Sequence, residues 1–161
     1  MRSEKSGDRM NIYLDVCCLC RPFDDQGIHR IHLEAEAIKE ILKRCTQDWT
    51  LVTSDAVRYE ISRIADKTRR KKVQNLADLA TKHVAITRSL SGRYLNIVEM
   101  GIDPADALHI ASAESAGAVL LTTDDTIIRI IMRYRNQITI KVTNPVEWLM
   151  EVNEHGSKDT E

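Results

Sequence analysis

The sequence predicts an α/β fold, a three-layer α/β/α sandwich around a central parallel sheet of four or five strands. Three observations carry this. Short apolar runs alternate with helical periods along the chain, the pattern of right-handed βαβ units with helices on both faces of a sheet. One run, Val119-Leu-Leu121, is wholly apolar, as in a parallel strand covered on both sides. The 161 residues are 43% hydrophobic but only 4% aromatic. The core must therefore be aliphatic and Ala-rich, which suits helices packed on a sheet better than two stacked β-sheets.

The elements follow in order. Met1 to Arg9 is polar and is expected to be a disordered extension, with Met10 a second candidate start. Asn11 to Leu19 is apolar and β-prone, and reads as strand one with Asp15 at its end. Arg21-Pro-Phe-Asp-Asp-Gln-Gly27 is rich in turn residues and reads as a loop. Ile31 to Arg44 reads as a helix: Ile31, Ala35, Ile38, Ile41 and Leu42 share one face, with Glu34, Glu36, Lys39, Glu40 and Lys43 around the other. Trp49 to Thr53 is strand two. Ser54 then caps a helix over 55–64, with Val57, Ile61 and Ile64 on one face and Glu60 in its middle.

A helix over about 68–80 opens with Arg69-Arg-Lys-Lys72. Val84 to Ile86 is a short strand, and Leu90 to Met100 a helix. Asp103 is a good N-cap, and Pro104 suits the first helical position, where a missing N–H costs nothing. Ala107, Leu108, Ile110, Ala111 and Ala113 make that helix apolar, and Gly117 ends it. After the strand at 119–121 come a helix over 126–134, a strand over 138–142 and a closing helix over 145–152 begun by Pro145. One domain thus spans 10–152, and the polar tail 153–161 is expected to be flexible.

The formal net charge is −1, so nucleic-acid binding would need a local patch rather than a global field. No apolar run approaches the ~20 residues of a membrane span, and the polar start is not a signal peptide. The expected home is the cytoplasm, away from membranes. Cys17, Cys18 and Cys20 crowd one strand end while Cys45 lies apart. This is not the paired spacing of a structural zinc site, and reduced, apolar thiols are the expected reading. No Gly-rich phosphate loop or dinucleotide fingerprint is present.

Four acids stand at comparable places. Asp15 ends strand one, Glu60 lies in the helix after strand two, Asp106 opens a helix, and Asp124 ends the next strand. In open α/β sheets, sites form at the carboxyl edge of the strands. Four carboxylates in one crevice repel and are driven to protonate unless a cation is present. Oxygen-only donors select hard ions such as Mg²⁺ or Mn²⁺, which bridge phosphates and activate water for attack on phosphorus. Each acid taken singly also has a plain structural role: Asp15 as a turn or cap, Glu60 as a solvated helix residue, Asp106 as a dipole partner, Asp124 as an N-cap. Asp103 reads as a cap, and Asp125 competes with Asp124 for the site.

Tyr13-Leu-Asp15 with Cys17 and Leu19, Ser54-x-x-Val57-x-x-Glu60-Ile61, Asp106-Ala-Leu-His-Ile-Ala and Leu121-Thr122-Thr-Asp124 together resemble the PIN domain. The likeness runs in order from Asn11 to Val152. Many PIN domains are Mg²⁺- or Mn²⁺-dependent ribonucleases, notably the VapC toxins of toxin–antitoxin pairs. The resemblance implies metal-binding, catalytic acids at Asp15, Glu60, Asp106 and Asp124. It further implies a site hydrogen bond from Thr122, an RNA substrate cut to leave a 5′-phosphate, a cognate antitoxin and a homodimer. Cys17 departs from the family, which often has Asn or Ser there, and the 21–27 segment is longer than usual, as for a lid or a partner-binding loop.

Lys67 to Lys72 holds five cations in six positions. Such runs are usually solvated faces, but Arg69, Arg70, Lys71 and Lys72 are candidate RNA-phosphate contacts, with Arg21 adding to them from the loop. His109 reads as a packed, hydrogen-bonded histidine rather than a base. Two other readings compete with the metal-dependent endoribonuclease. One is a non-catalytic module of the same fold that binds RNA or a protein. The other is a phosphotransfer domain with Asp15 as nucleophile, which lacks the second Asp a dehalogenase-like phosphatase needs at Cys17.

Overall fold

β1 (Met10–Leu14) is the centre of the sheet. Its Ile12, Tyr13 and Leu14 are all buried, so neither face of the strand meets water and both need covering. The computed structural model describes residues 9–160, with side chains through Glu154; the expected disordered extension lies, but for Arg9, outside them. β1 pairs in parallel with β2 (Trp49–Ser54) on one edge and β4 (Val119–Leu121) on the other. β3 (Lys82–Val84) adds to β2, and β5 (Val142–Thr143) to β4. The order is β3-β2-β1-β4-β5, parallel throughout. With its flanking helices this is the expected α/β/α sandwich, with five strands.

The helices are α1 (Val16–Cys20), α2 (His29–Arg44), α3 (Asp55–Ser62), α4 (Lys67–Ala77), α5 (Arg88–Glu99), α6 (Pro104–Ser115), α7 (Asp125–Arg133) and α8 (Pro145–Thr160). Their boundaries follow local chemistry. Ser54 caps α3 by accepting from Val57 N at 3.1 Å, and Thr87 caps α5 from Leu90 N. Asp103 caps α6, with Pro104 at its first position. Gly117, at φ 61°, turns the chain out of α6 into β4, a conformation that Gly adopts without the Cβ clash of other residues.

The chain leaves β1 for β2 and β3, then returns to the opposite edge of β1 through α5 and α6. The direction of winding therefore changes between β1 and β4. At such a switch point the loops leaving two neighbouring strands diverge, and a crevice opens at their carboxyl ends. Asp15 follows β1, and Thr122-Thr123-Asp124 follows β4. Asp15 N donates to Leu121 O at 3.3 Å, which fixes the two strand tips together.

Five expectations are corrected. The third strand is Lys82–Val84 rather than 84–86. Strand one stops at Leu14, because Asp15 accepts from Cys18 N at 3.0 Å and starts α1 over residues read as strand. The last strand is Val142–Thr143 rather than 138–142. The short β4 offers only Leu120 and Leu121 as partners, so Ile138 is buried from an irregular segment instead. The closing helix does not end at Val152 but continues to Thr160; Glu161 lies outside the described residues. Glu34, assigned to the polar face of α2, is 1% exposed. It stands one turn before Ile38, on the apolar stripe.

Candidate metal centre at the strand tips

Asp15, Cys17, Arg21, Glu60, Asp106, His109, Thr123, Asp124 and Ile127 line one cavity of about 300 Å³ at the carboxyl edge of β1 and β4. All four acids singled out in the sequence are in it. Asp15 and Asp124 are each held by the backbone of the helix they open. Asp15 Oδ1 accepts from Cys18 N, and from the Cys17 thiol at 2.7 Å. Asp124 Oδ1 accepts from Thr126 N at 2.9 Å and Ile127 N at 3.4 Å. Capping and lining the cavity are thus compatible roles: in Asp124 both cap bonds go to one oxygen, leaving the other for the pocket.

Glu60 reaches the cavity from α3 and is oriented by α6. Its Oε1 lies 2.7 Å from His109 Nε2, and His109 Nδ1 lies 2.7 Å from the Tyr13 hydroxyl, itself 2.7 Å from Ser54 Oγ. The Glu60 carboxylate only accepts, so His109 Nδ1 is left as an acceptor for Tyr13, and the Ser54 hydroxyl, accepting from Val57 N, gives its own proton to Tyr13. Tyr13 then donates to Nδ1, and Nε2–H donates to Glu60. This tautomer of His109 leaves no donor in the chain without an acceptor. Burial raises the Tyr13 pKa far beyond its ordinary value, so the phenol stays a donor. Tyr13, Ser54 and His109 were not read as site residues. The spacing of Asp106 and His109, one helical turn apart on α6, was the available signal.

The electrostatics are those of crowded carboxyls. Burial pushes the Asp106 carboxyl up to about 6, with Asp103 and Asp124 adding to the rise. Asp15 is raised well above the usual carboxylate range by its burial. Thr122, fully buried, accepts from Asp124 N at 3.1 Å and lies 3.7 Å from Cys17 Sγ. Thr123 Oγ1 donates to Cys17 Sγ at 3.0 Å. The donor atoms of Asp15, Cys17 and Cys18 lie within 4.8 Å of one another. Cys18 is wholly buried, its thiol donating to Leu121 O at 3.3 Å, so its sulfur is turned from the cavity. Four carboxylates around one cavity, two of them driven toward protonation, fit a hard divalent cation, which would reverse that repulsion.

Asp125 faces away from this cavity. Arg30 holds it with two hydrogen bonds, of 2.9 and 3.0 Å. The basic residues divide. Arg21 touches the cavity, but its guanidinium is shared between Glu34 at 2.7 Å and Asp24 at 3.0 Å. Arg69 pairs with Asp24 at 2.5 Å, which pins the 21–24 segment to α4. Lys72 lies 5.9 Å from the Phe23 ring centre. Arg70 and Lys71 line a different groove with Arg58 and Lys67.

The profile of the PIN domain matches residues 12–131. The chain belongs to the PIN domain family. No curated protein sequence matches it. Among solved structures, this PIN domain resembles FitAcB from Neisseria gonorrhoeae at 19% identity and a TM-score of 0.56, over 83% of this chain and 97% of that one. It resembles FitAB bound to an IR36 DNA fragment at 18% and 0.55, over 84% and 95%. It also resembles VapBC2 from Rickettsia felis bound to a DNA fragment from its promoter, at 15% and 0.57, over 84% and 98%. At these identities the likeness establishes the fold. No helix among the described residues is long and apolar enough to cross a membrane.

Proposed function

We propose that this PIN domain is a Mg²⁺- or Mn²⁺-dependent endoribonuclease and the toxin of a toxin–antitoxin pair. The observation that carries the reading is the convergence of Asp15, Glu60, Asp106 and Asp124, from four separate stretches of sequence, on one cavity at the switch point of the sheet. The family match and the likeness to FitAB and VapBC2 structures support the toxin assignment and an antitoxin as protein partner.

Asp15, Glu60, Asp106 and Asp124 would hold the cation, which when bound neutralises phosphate charge and lowers the pKa of water. The residues themselves do the positioning. Asp15 and Asp124 are anchored through backbone N–H groups, so their oxygens hold station without a long, mobile side chain. Glu60, held by His109, orients the attacking water and takes up its proton. Water adds to phosphorus, the 3′ oxygen leaves, and the products are a 5′-phosphate and a 3′-hydroxyl.

The test is RNA cleavage by the purified chain with Mg²⁺ or Mn²⁺ against EDTA. Asp15→Asn and Asp124→Asn keep the shape of each cap and remove a charge; each is expected to abolish cleavage while the fold survives. Cleavage that persists in EDTA, or in both variants, overturns the mechanism. A melting temperature that neither ion raises would favour a non-catalytic module that binds RNA or a protein.

A further inference from the structure

We propose that α3 and the start of α4 form a track for single-stranded RNA, in which Tyr59 stacks on a base and Arg58, Lys67, Arg70 and Lys71 hold backbone phosphates. The inference rests on the ribonuclease reading and adds the path of its substrate.

Tyr59 is 62% exposed, and among the described residues it is the one Phe, Tyr or Trp that is not at least partly buried. It precedes Glu60 directly. Arg63 Nη1 donates to its hydroxyl at 3.0 Å, and the guanidinium carbon lies 5.7 Å from its ring centre, so the ring is held rather than swinging free. A groove of about 400 Å³ lies on the other side of α3, lined by Arg58, Ile61, Ser62, Lys67, Arg70 and Lys71, together with Gln74. Arg70 Nη1 donates to Ile64 O at 2.7 Å, which sets its guanidinium at the helix junction.

The helix geometry joins these features. At roughly 100° per residue, the order around α3 from the acidic cavity is Glu60, Arg63, Tyr59, Ser62 and Arg58, an arc of about 200°. The arc therefore runs without interruption from a cavity of carboxylates, across an exposed ring, into a groove of cations. Charge favours a polyanion over a protein surface as its occupant. None of the ion pairs among the described residues involves Arg58, Arg63, Lys67, Arg70 or Lys71, whereas Arg21, Arg30, Arg44, Arg69 and Arg93 are each paired. Unpaired cations on a groove release counterions when phosphates replace them, and an exposed aromatic gives a base of any sequence a stacking face.

The test is fluorescence anisotropy of a short labelled single-stranded RNA on the whole chain in EDTA, so that binding is read without cleavage. Tyr59→Ala is expected to weaken binding by roughly 5- to 150-fold, the range for losing one stacked base, with the salt slope unchanged. Tyr59→Phe and Tyr59→Trp should retain affinity, and an abasic ribose-phosphate chain should bind wild type and Tyr59→Ala alike. Joint replacement of Arg58, Lys67 and Lys71 with Ala should lower the slope by about 2, at roughly 0.7 per lost contact. All these side chains are exposed, so melting temperatures should not move. Unchanged affinity in Tyr59→Ala, or an unchanged slope in the triple variant, overturns the track. If wild type then still cleaves RNA with Mg²⁺, the ribonuclease reading survives. If wild type neither binds nor cleaves RNA, both fall. Loss of a partner protein with RNA binding intact would reassign the face to that protein and overturn the track.

Discussion

Asp106 and His109 show how single residues set the chemistry. In the cation-free protein the Asp106 carboxyl titrates at about 6 against an ordinary 3.8. Between those values the unfolded chain has lost the proton that the folded chain keeps. The contribution of Asp106 to stability therefore falls as pH rises from about 4 to about 6, then stays level. Asp106→Asn is expected to flatten that fall and to remove the stabilisation by Mn²⁺, both read from melting temperatures across pH with and without EDTA. A fall of unchanged size in the variant would place its source elsewhere. In the proposed mechanism His109 acts through Glu60, 2.7 Å away, as a positioning residue. His109→Leu should lower cation affinity about 10- to 100-fold, the usual effect of losing a partner that orients a ligand. Calorimetric titration reads this directly, and an unchanged affinity would return His109 to a packing role.

At the level of the element, the helix starts do two jobs. Asp15 opens α1 and Asp124 opens α7, and each thereby carries a carboxylate to the strand tip. Asn caps a helix as well as Asp, whereas Ala does not. Asp124→Asn should thus keep stability near wild type while losing cleavage. Asp124→Ala should lose cleavage and about 1 kcal/mol of stability as well. Equal stabilities for the two variants in urea unfolding would show that the cap contributes nothing. The cap also explains the misread end of strand one. The run after Leu14 is apolar enough for a strand, but Oδ1 of Asp15 offers the N–H of Cys18 a nearer partner than any neighbouring strand does.

Across the whole molecule, a chain of ion pairs girdles the carboxyl edge. Arg69 of α4 holds Asp24, Asp24 holds Arg21, Arg21 holds Glu34, and Glu34 holds Arg30, which holds Asp125 of α7. Its buried centre is Glu34, which also accepts from Asn144 Nδ2 at 2.7 Å. Burial alone would raise the Glu34 pKa, but Asn144, Arg30 and Arg21 outweigh it, and the carboxyl sits below its ordinary 4.5. Its stabilisation is present above that value and is lost as pH falls through the depressed one. Glu34→Ala leaves Asn144 Nδ2 and Arg21 Nε–H without their buried acceptor and should cost about 1–3 kcal/mol in denaturant unfolding. A loss below about 1 kcal/mol would show that the girdle is a set of independent surface pairs. The girdle engages Arg21 and Arg69, so the proposed RNA track draws instead on cations of α3 and α4 outside it.

Residue type and period determined the layers, the parallel sheet and the four acids. Hydrophobic periodicity is local, and turn and cap residues act within a few positions of themselves. For that reason Pro104, Gly117 and the apolar run at 119–121 could be placed from the sequence. The PIN resemblance likewise needed only short motifs in order. The tertiary structure alone decided which charges were free. Arg21, Arg69 and Asp125 look as available in the sequence as Arg58 or Asp124, but their partners are 13, 45 and 95 residues away. The same holds for the chain from Ser54 through Tyr13 and His109 to Glu60, which spans four elements. An ion pair or a hydrogen-bonded chain depends on distances of about 3 Å, and those exist only once the sheet order has brought distant strand tips together.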